Sequence, residues 1–126
     1  MTNCILIADD EPNILISLEY LMKREGYEVH LARDGQEALD VMQRVRPQLV
    51  LLDVMMPKKT GFEVCQALRA DDVLKGTRVL MLTAKGRDTD VARGLGVGAD
   101  AYMTKPFSTQ ELTRKVRELL AAPARP

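Results

Sequence analysis

Short apolar runs alternate with longer segments of helical period along the chain, and this alternation restricts the fold more than any other feature. The runs are Cys4–Ala8, Tyr27–Leu31, Leu49–Leu52, Val79–Leu82 and Ala101–Met103. They are rich in aliphatic and β-branched residues, which predicts five strands. The segments between and after them repeat apolar residues at three- and four-residue steps, which predicts helices with one apolar face.

Regular alternation of apolar strands and helices favours a doubly wound α/β fold, a parallel sheet of five strands flanked by five helices. The fourth of these helices is predicted over about residues 87 to 95. The 126 residues suffice for one such core. We therefore expect a single domain over residues 1–121 and a flexible C-terminal tail over 122–126.

Helix boundaries carry their own signals. Ser108 and Glu111 form an S-x-x-E capping box before the last helix, and Asp34 plays the same part before the second. Pro12 suits a first helical turn, and Gly26 suits a helix end that requires a positive φ.

Chemically active residues follow four of the five strands. Asp9 and Asp10 follow the first, Asp53 the third, Thr83 ends the fourth, and Lys105 follows the fifth. In parallel sheets these carboxyl ends share one edge, so we expect all five side chains to meet there. Three such carboxylates repel one another by about 4 kcal/mol per pair at 4 Å and a dielectric constant of 20, which one lysine does not offset.

A cation that prefers oxygen ligands would balance this charge, which makes Mg²⁺ the expected cofactor. The arrangement is suited to phosphate chemistry. Asp53 can act as the nucleophile, Lys105 can neutralise the transferring oxygens, and the Thr83 hydroxyl can donate a hydrogen bond to them.

The segments ILIADDEP, VLLDVMMPKKTGFE, VLMLTA and GADAYMTKPF resemble the receiver domains of two-component response regulators. The resemblance covers essentially the whole chain and implies a chemotaxis-receiver-like fold with strand order 2-1-3-4-5. It implies that a sensor histidine kinase phosphorylates Asp53. The implied Mg²⁺ ligands are Asp9, Asp10, Asp53 and the backbone carbonyl of Met55.

The resemblance also implies a conformational switch. Thr83 is the implied switch hydroxyl, Tyr102 the aromatic residue that moves with it, and Lys105 the base that pairs with phosphate and precedes a cis peptide bond to Pro106. The protein would catalyse only its own phosphorylation and dephosphorylation. We expect slow dephosphorylation, because the apolar side chain of Met55 at the site mouth cannot position an attacking water.

The implied output surface consists of the fourth helix, the fifth strand and the last helix, and it would bind a downstream protein or an output domain. A phosphorylation-dependent homodimer through this surface stays open. Receivers that dimerise there often have an acidic residue where this chain has Ala101, which removes one intersubunit salt bridge.

Two other functions remain as alternatives. The short tail and balanced charge favour a free-standing receiver, but the chain could be the receiver portion of a DNA-binding regulator whose output domain is absent. A haloacid-dehalogenase-type phosphatase uses a similar set of residues, but its D-x-D signature is missing, since Asp9 and Asp10 are adjacent.

Charge and composition restrict the kinds of partner and the cellular location that we expect. The 18 basic and 18 acidic side chains cancel, which argues against direct nucleic-acid binding. No apolar run reaches the ~20 residues of a membrane span, so we expect a cytoplasmic protein. Cys4 and Cys65 are predicted to be core residues rather than metal ligands, and His30 a half-exposed structural histidine rather than a phosphohistidine carrier.

Overall fold

The five predicted strands form one sheet in the computed structural model, which describes residues 3–84 and 96–122. The elements are, in chain order, β1 Cys4–Ala8, α1 Pro12–Arg24, β2 Glu28–Ala32, α2 Gly35–Val45, β3 Leu49–Asp53, α3 Gly61–Ala70, β4 Arg78–Ala84, β5 Ala101–Lys105 and α4 Thr109–Ala121. Among the described residues there are thus four helices rather than five. The helix predicted over about 87 to 95, and residues 123–126 of the predicted tail, lie outside them.

Neighbouring strands run in the order β2-β1-β3-β4-β5, and every pair is parallel. This confirms the expected α/β sheet. Because all strands run in one direction, their carboxyl ends lie along one edge of the sheet and their amino ends along the other. We call these the carboxyl edge and the amino edge.

Helices cover both faces of the sheet. On one face α2 and α3 pack through side chains such as Met42 and Leu68, and on the other α1 and α4 pack through residues such as Leu18 and Leu112. The strand residues between these layers are almost fully buried in β1, β3 and β4. Each fully buried leucine contributes about 1.5 to 3 kcal/mol to folding, so the central strands hold the sheet rigidly beneath the carboxyl edge.

The helix boundaries follow the local signals. Pro12 occupies the first turn of α1, and the side chains of Asp34 and Ser108 accept hydrogen bonds from the third residue of α2 and α4. Gly26 has a φ of 92°. Sequence reasoning missed a complete capping box at Thr60, which the pattern T-x-x-E could have revealed.

A partly buried ion pair lies at the amino edge. Arg69 of α3 and Asp100 lie 2.8 Å apart, with side chains 14% and 12% exposed. The guanidinium also donates hydrogen bonds to the carbonyl oxygens of Gly98 and Thr77, and Asp100 accepts one from the backbone N–H of Val79. Both charges therefore have partners on several sides, as buried charges require.

Candidate functional site

Three carboxylates converge at the carboxyl edge. Asp9 follows β1 and Asp53 ends β3, and these two strands are hydrogen-bonded neighbours. Asp9 is fully buried, Asp53 is 7% exposed, and Asp10 is exposed. One oxygen of each carboxylate lies within 4.8 Å of the other two. The fold thus brings Asp53 together with two acids that are more than 40 residues away in sequence.

A lysine from β5, the last strand of the sheet, also reaches this group of carboxylates. Lys105 ends β5, and its Nζ lies 2.8 Å from Asp9 Oδ2 and 3.4 Å from Asp53 Oδ1. Burial opposes its charge, but the hydrogen bond to Asp9 and the charges of both carboxylates outweigh that effect and raise the pKa of Lys105. The lysine is therefore held in its charged form. The peptide bond to Pro106 is cis.

The lysine does not neutralise the site. Burial, and then the negative charge of Asp9, raise the pKa of Asp53 from 3.8 to about 6, against the opposing effect of Lys105. The charge of Asp10 raises it further. An excess of negative charge thus remains around Asp53. All the side-chain ligands are hard oxygen donors, so the residues present fit a divalent cation of the magnesium type.

Thr83 has a buried hydroxyl with unused hydrogen-bonding capacity. The residue is 2% exposed, and its Oγ1 finds no hydrogen-bond partner within residues 3–84 and 96–122. It follows Leu82, which pairs with Asp53 across β3 and β4. A buried hydroxyl without a hydrogen bond lowers the free energy of unfolding by about 1 to 3 kcal/mol. The Thr83 hydroxyl is therefore available to donate a hydrogen bond to a bound group.

The loop after Asp53 is held close to the end of β3. The N–H of Gly61 donates to the carbonyl oxygen of Val54 at 2.8 Å, and a Cβ on Gly61 would overlap the carbonyl oxygen of Asp53. Glycine is needed here for close approach of the backbone, and not for a special φ, because its φ is not positive. Within this loop the side chain of Met55 is 53% exposed.

Comparison with known proteins decides the family. The family model of the response regulator receiver domain matches residues 5–117. The chain belongs to the response regulator receiver domain family. It therefore contains the receiver domain of a two-component response regulator, which is a signalling switch and not a classical enzyme. The phosphatase alternative is set aside.

Named relatives agree with this assignment. The receiver domain is 46% identical over 120 residues to the alkaline phosphatase synthesis transcriptional regulatory protein PhoP of Bacillus subtilis (strain 168), a match of 95% of this chain and 49% of that protein. The chain thus spans about half the length of this curated relative.

Solved structures share the fold. The chemotaxis protein CheY4 of Vibrio cholerae is 34% identical, with a TM-score of 0.89 over 94% of this chain and 99% of that chain. The receiver domain of the sensor histidine kinase PA1611 of Pseudomonas aeruginosa PAO1 is 27% identical, with a TM-score of 0.89 over 97% and 100%. That structure has a magnesium ion coordinated in its active site cleft.

The predicted switch residue Tyr102 lies on β5, where it pairs with Met81 of β4 and packs, partly buried, against the core. Beside it, a groove in the receiver domain is lined by residues of β5 and α4 that include Glu111 and Lys115. These residues belong to the described part of the predicted output surface.

Two further predictions concern membrane-spanning helices and the cysteine and histidine residues. Among its described residues, no helix is long and apolar enough to cross a membrane. Cys4 and Cys65 are both buried and form no disulfide, as expected of core residues. His30, however, lies beside Cys4, a proximity that sequence reasoning did not foresee.

Proposed function

We propose that this receiver domain accepts a phosphoryl group on Asp53 from a sensor histidine kinase, with Mg²⁺ as its cofactor, and that phosphorylation switches a protein-interaction surface. The convergence of Asp9, Asp10 and Asp53 around Lys105 is the observation that carries the proposal. Its excess negative charge accounts for the need of a cation, and its central carboxylate supplies a nucleophile.

Asp53 would act as nucleophile and as metal ligand, and Asp9 and Asp10 as metal ligands. A carboxylate oxygen of Asp53 attacks phosphorus, and the bond from phosphorus to the histidine nitrogen of the kinase breaks, with its electron pair leaving on nitrogen. Asp9, Asp10, Asp53 and the carbonyl oxygen of Met55 would hold Mg²⁺. When bound, the ion supplies positive charge that stabilises the oxygens of the transferring group.

Lys105 and Thr83 stabilise the product. Lys105 is already charged and lies 3.4 Å from Asp53, so it can pair with the phosphoryl oxygens without further protonation. The Thr83 hydroxyl can donate to the same oxygens, which satisfies a group that otherwise lacks a partner among the described residues. Phosphorylation adds about −1.5 to −2 charges and three acceptor oxygens, and so favours the conformation in which these donors reach them.

The switch would pass through β5. Movement of Thr83 toward the phosphoryl group frees space beside β5, and Tyr102 moves inward with it. Thr83 pairs with Thr104 across β4 and β5, two residues from Tyr102, which provides the short path that such coupling needs. The altered surface consists of the fourth predicted helix, β5 and α4, and it would bind a downstream target. A spectrum of Tyr102 that stays unchanged on addition of beryllofluoride would contradict this path.

The central test is incubation with Mg²⁺ and acetyl phosphate, followed by intact mass spectrometry. We expect a Mg²⁺-dependent gain of one phosphoryl group in the wild type and none in Asp53→Asn. The matched control is Asp72→Asn, because the side chain of Asp72 is 97% exposed and lies outside the site. The control should be phosphorylated like the wild type. Full modification of Asp53→Asn would overturn the proposal.

A second candidate is that the receiver domain is part of a DNA-binding transcriptional regulator. The 46% identity to PhoP, which is named a transcriptional regulatory protein, favours it, as does the match to only about half of that protein. The genomic reading frame beyond codon 126 tests it. A continuous second domain that shifts promoter DNA in a gel would support this candidate, and a stop codon there would favour a free-standing receiver.

Two properties stay predictions. The homodimer through β5 and α4 would lack the salt bridge that Ala101 removes, and sedimentation with and without beryllofluoride tests whether it forms at all. A cytoplasmic location fits two cysteines that form no disulfide, since reducing compartments keep thiols from oxidising. Cell fractionation tests the location.

A further inference from the structure

A second group of metal-ligating side chains lies at the amino edge of the sheet. Cys4 begins β1 and Glu28 begins β2, and the two residues pair directly across these parallel strands. His30 is two residues beyond Glu28, so its side chain points to the same face of the sheet. The five residues of β1 separate this group from Asp9 by about 16 Å.

The three side chains already contact one another. His30 Nε2 and Glu28 Oε2 are 3.0 Å apart. The sulphur, a carboxylate oxygen and a ring nitrogen all lie within 4.8 Å of one another. Ligands around one tetrahedral ion stand at similar separations, so small side-chain rotations are enough to bring all three to a common centre.

The backbone around Cys4 is fixed. Its N–H donates to the Gln48 side chain, and its carbonyl oxygen accepts from the Gln48 N–H at 2.9 Å. The N–H of Glu28 donates to the carbonyl oxygen of Asn3 at 2.9 Å. Two of the three ligands are therefore held by hydrogen bonds of their own backbone, which is the kind of support that a metal site requires.

The burial of the three ligands leaves one side open. Cys4 is 8% exposed, whereas the side chains of His30 and Glu28 are 31% and 60% exposed. A thiolate, an imidazole and a carboxylate form a ligand set for zinc and related transition metals, and the exposed side can admit water as a fourth ligand. Magnesium, which requires hard oxygen ligands, is a poor match.

We propose that Cys4, Glu28 and His30 bind a divalent transition-metal ion of the zinc class at the amino edge of the sheet. The site is separate from the phosphoacceptor site and does not depend on it. A surface ion pair of His30 and Glu28 above a core cysteine would not by itself require the three ligand atoms to lie within 4.8 Å of one another.

Cobalt is the probe that tests the proposal, because a thiolate bound to Co²⁺ gives a charge-transfer absorption in the near ultraviolet. The full chain is titrated with Co²⁺ in excess Mg²⁺, which occupies the carboxyl edge. We expect the thiolate band in the wild type, and its disappearance on addition of Zn²⁺. Absence of the band in the wild type would overturn the proposal.

Single-residue variants test whether Cys4 provides the thiolate ligand. Cys4→Ser should abolish the band, and Cys65→Ser is the matched control, because Cys65 is also a buried cysteine outside any disulfide but lies in α3. The control and Asp53→Asn should keep the band. A band that survives Cys4→Ser, or that disappears in Cys65→Ser or Asp53→Asn, would contradict the proposed site.

The two exposed ligands test the site even if Cys4→Ser does not fold. His30→Gln and Glu28→Gln lie on the exposed side, and circular dichroism should show both to be folded. Each should weaken Co²⁺ binding by about tenfold or more. Unchanged cobalt affinity in both variants would overturn the proposal.

Discussion

Two partly buried ion pairs lie at opposite edges of the same sheet, and they differ in how completely their charges are satisfied. At the amino edge, Arg69 and Asp100 have hydrogen-bond partners on several sides. At the carboxyl edge, Lys105 serves both Asp9 and Asp53, and the pKa of Asp53 is raised to about 6. The first pair stabilises the fold, whereas the second leaves charge for a cation and a phosphoryl group to balance.

A rigid sheet can thus tolerate a site whose clustered carboxylates repel one another. Burial without full satisfaction costs free energy, and that cost is met elsewhere by the apolar core and by pairs such as Arg69 with Asp100. Removal of a charge should therefore have opposite effects at the two edges.

The largest expected effect is at the amino edge. Arg69→Met leaves the partly buried Asp100 without its cation, and should lower the free energy of unfolding by about 3 kcal/mol. Urea denaturation measures this change. The control is Arg114→Met, because the side chain of Arg114 is 73% exposed and should contribute within about 0.5 kcal/mol. A loss below 1 kcal/mol in Arg69→Met would remove the contrast between the edges.

At the carboxyl edge the sign should reverse. Between pH 4 and pH 6 the unfolded chain releases the Asp53 proton before the folded protein does, so the metal-free wild type loses stability as pH rises through this range. Asp53→Asn should therefore stabilise the metal-free protein above pH 6, by about 1 to 3 kcal/mol, and have little effect below pH 4. Urea denaturation in EDTA at both pH values tests this, with Asp72→Asn as the control.

The Thr83 hydroxyl should cost stability in the unphosphorylated protein. Thr83→Val removes a buried group that lacks a partner among the described residues, and should raise the free energy of unfolding by about 1 kcal/mol. Thr77→Val is a matched control, since the Thr77 hydroxyl is buried but donates to the carbonyl oxygen of Pro47 at 3.1 Å. The control should lose about 1 kcal/mol. Equal changes in the two variants would show that the Thr83 hydroxyl is already satisfied.

The smallest expected effect is kinetic. Met55 is 53% exposed beside the site, and Met55→Asn would provide a polar group that can position the attacking water. The phosphoprotein should then lose its phosphoryl group faster, by less than about tenfold, which corresponds to less than ~1.4 kcal/mol in the barrier. Decay of the phosphorylated mass with time measures it, and a lifetime no shorter than that of the wild type would count against the prediction.

Much of the fold was predictable because apolar periodicity reflects burial directly. The β1 strand begins and ends at the predicted residues. The other four strands extend further at their carboxyl ends than predicted, for example to Asp53 in β3 and Lys105 in β5. Polar residues at strand ends continue the backbone ladder, but they carry no apolar pattern that would reveal it.

The structural role of individual residues was harder to predict than the elements in which they lie. Gly61 is required because the backbone of Asp53 passes too close for a Cβ, a contact that the sequence around Gly61 does not show. Arg69 and Asp100 are 31 residues apart and have no signal in the sequence. His30 was predicted to be structural, and nothing in its spacing from Cys4 showed that β1 and β2 would pair in register.

The sequence by itself determined the α/β order of elements, the residues that end each strand, and the resemblance that pointed to a receiver domain, because each of these is local in the chain. Only the tertiary structure decided which side chains meet. Strand register sets distances between residues far apart in sequence, and those distances fix the charge on Lys105, the raised pKa of Asp53 and the contact of Cys4 with Glu28 and His30. Electrostatic energy depends on separation and burial, which no single segment contains.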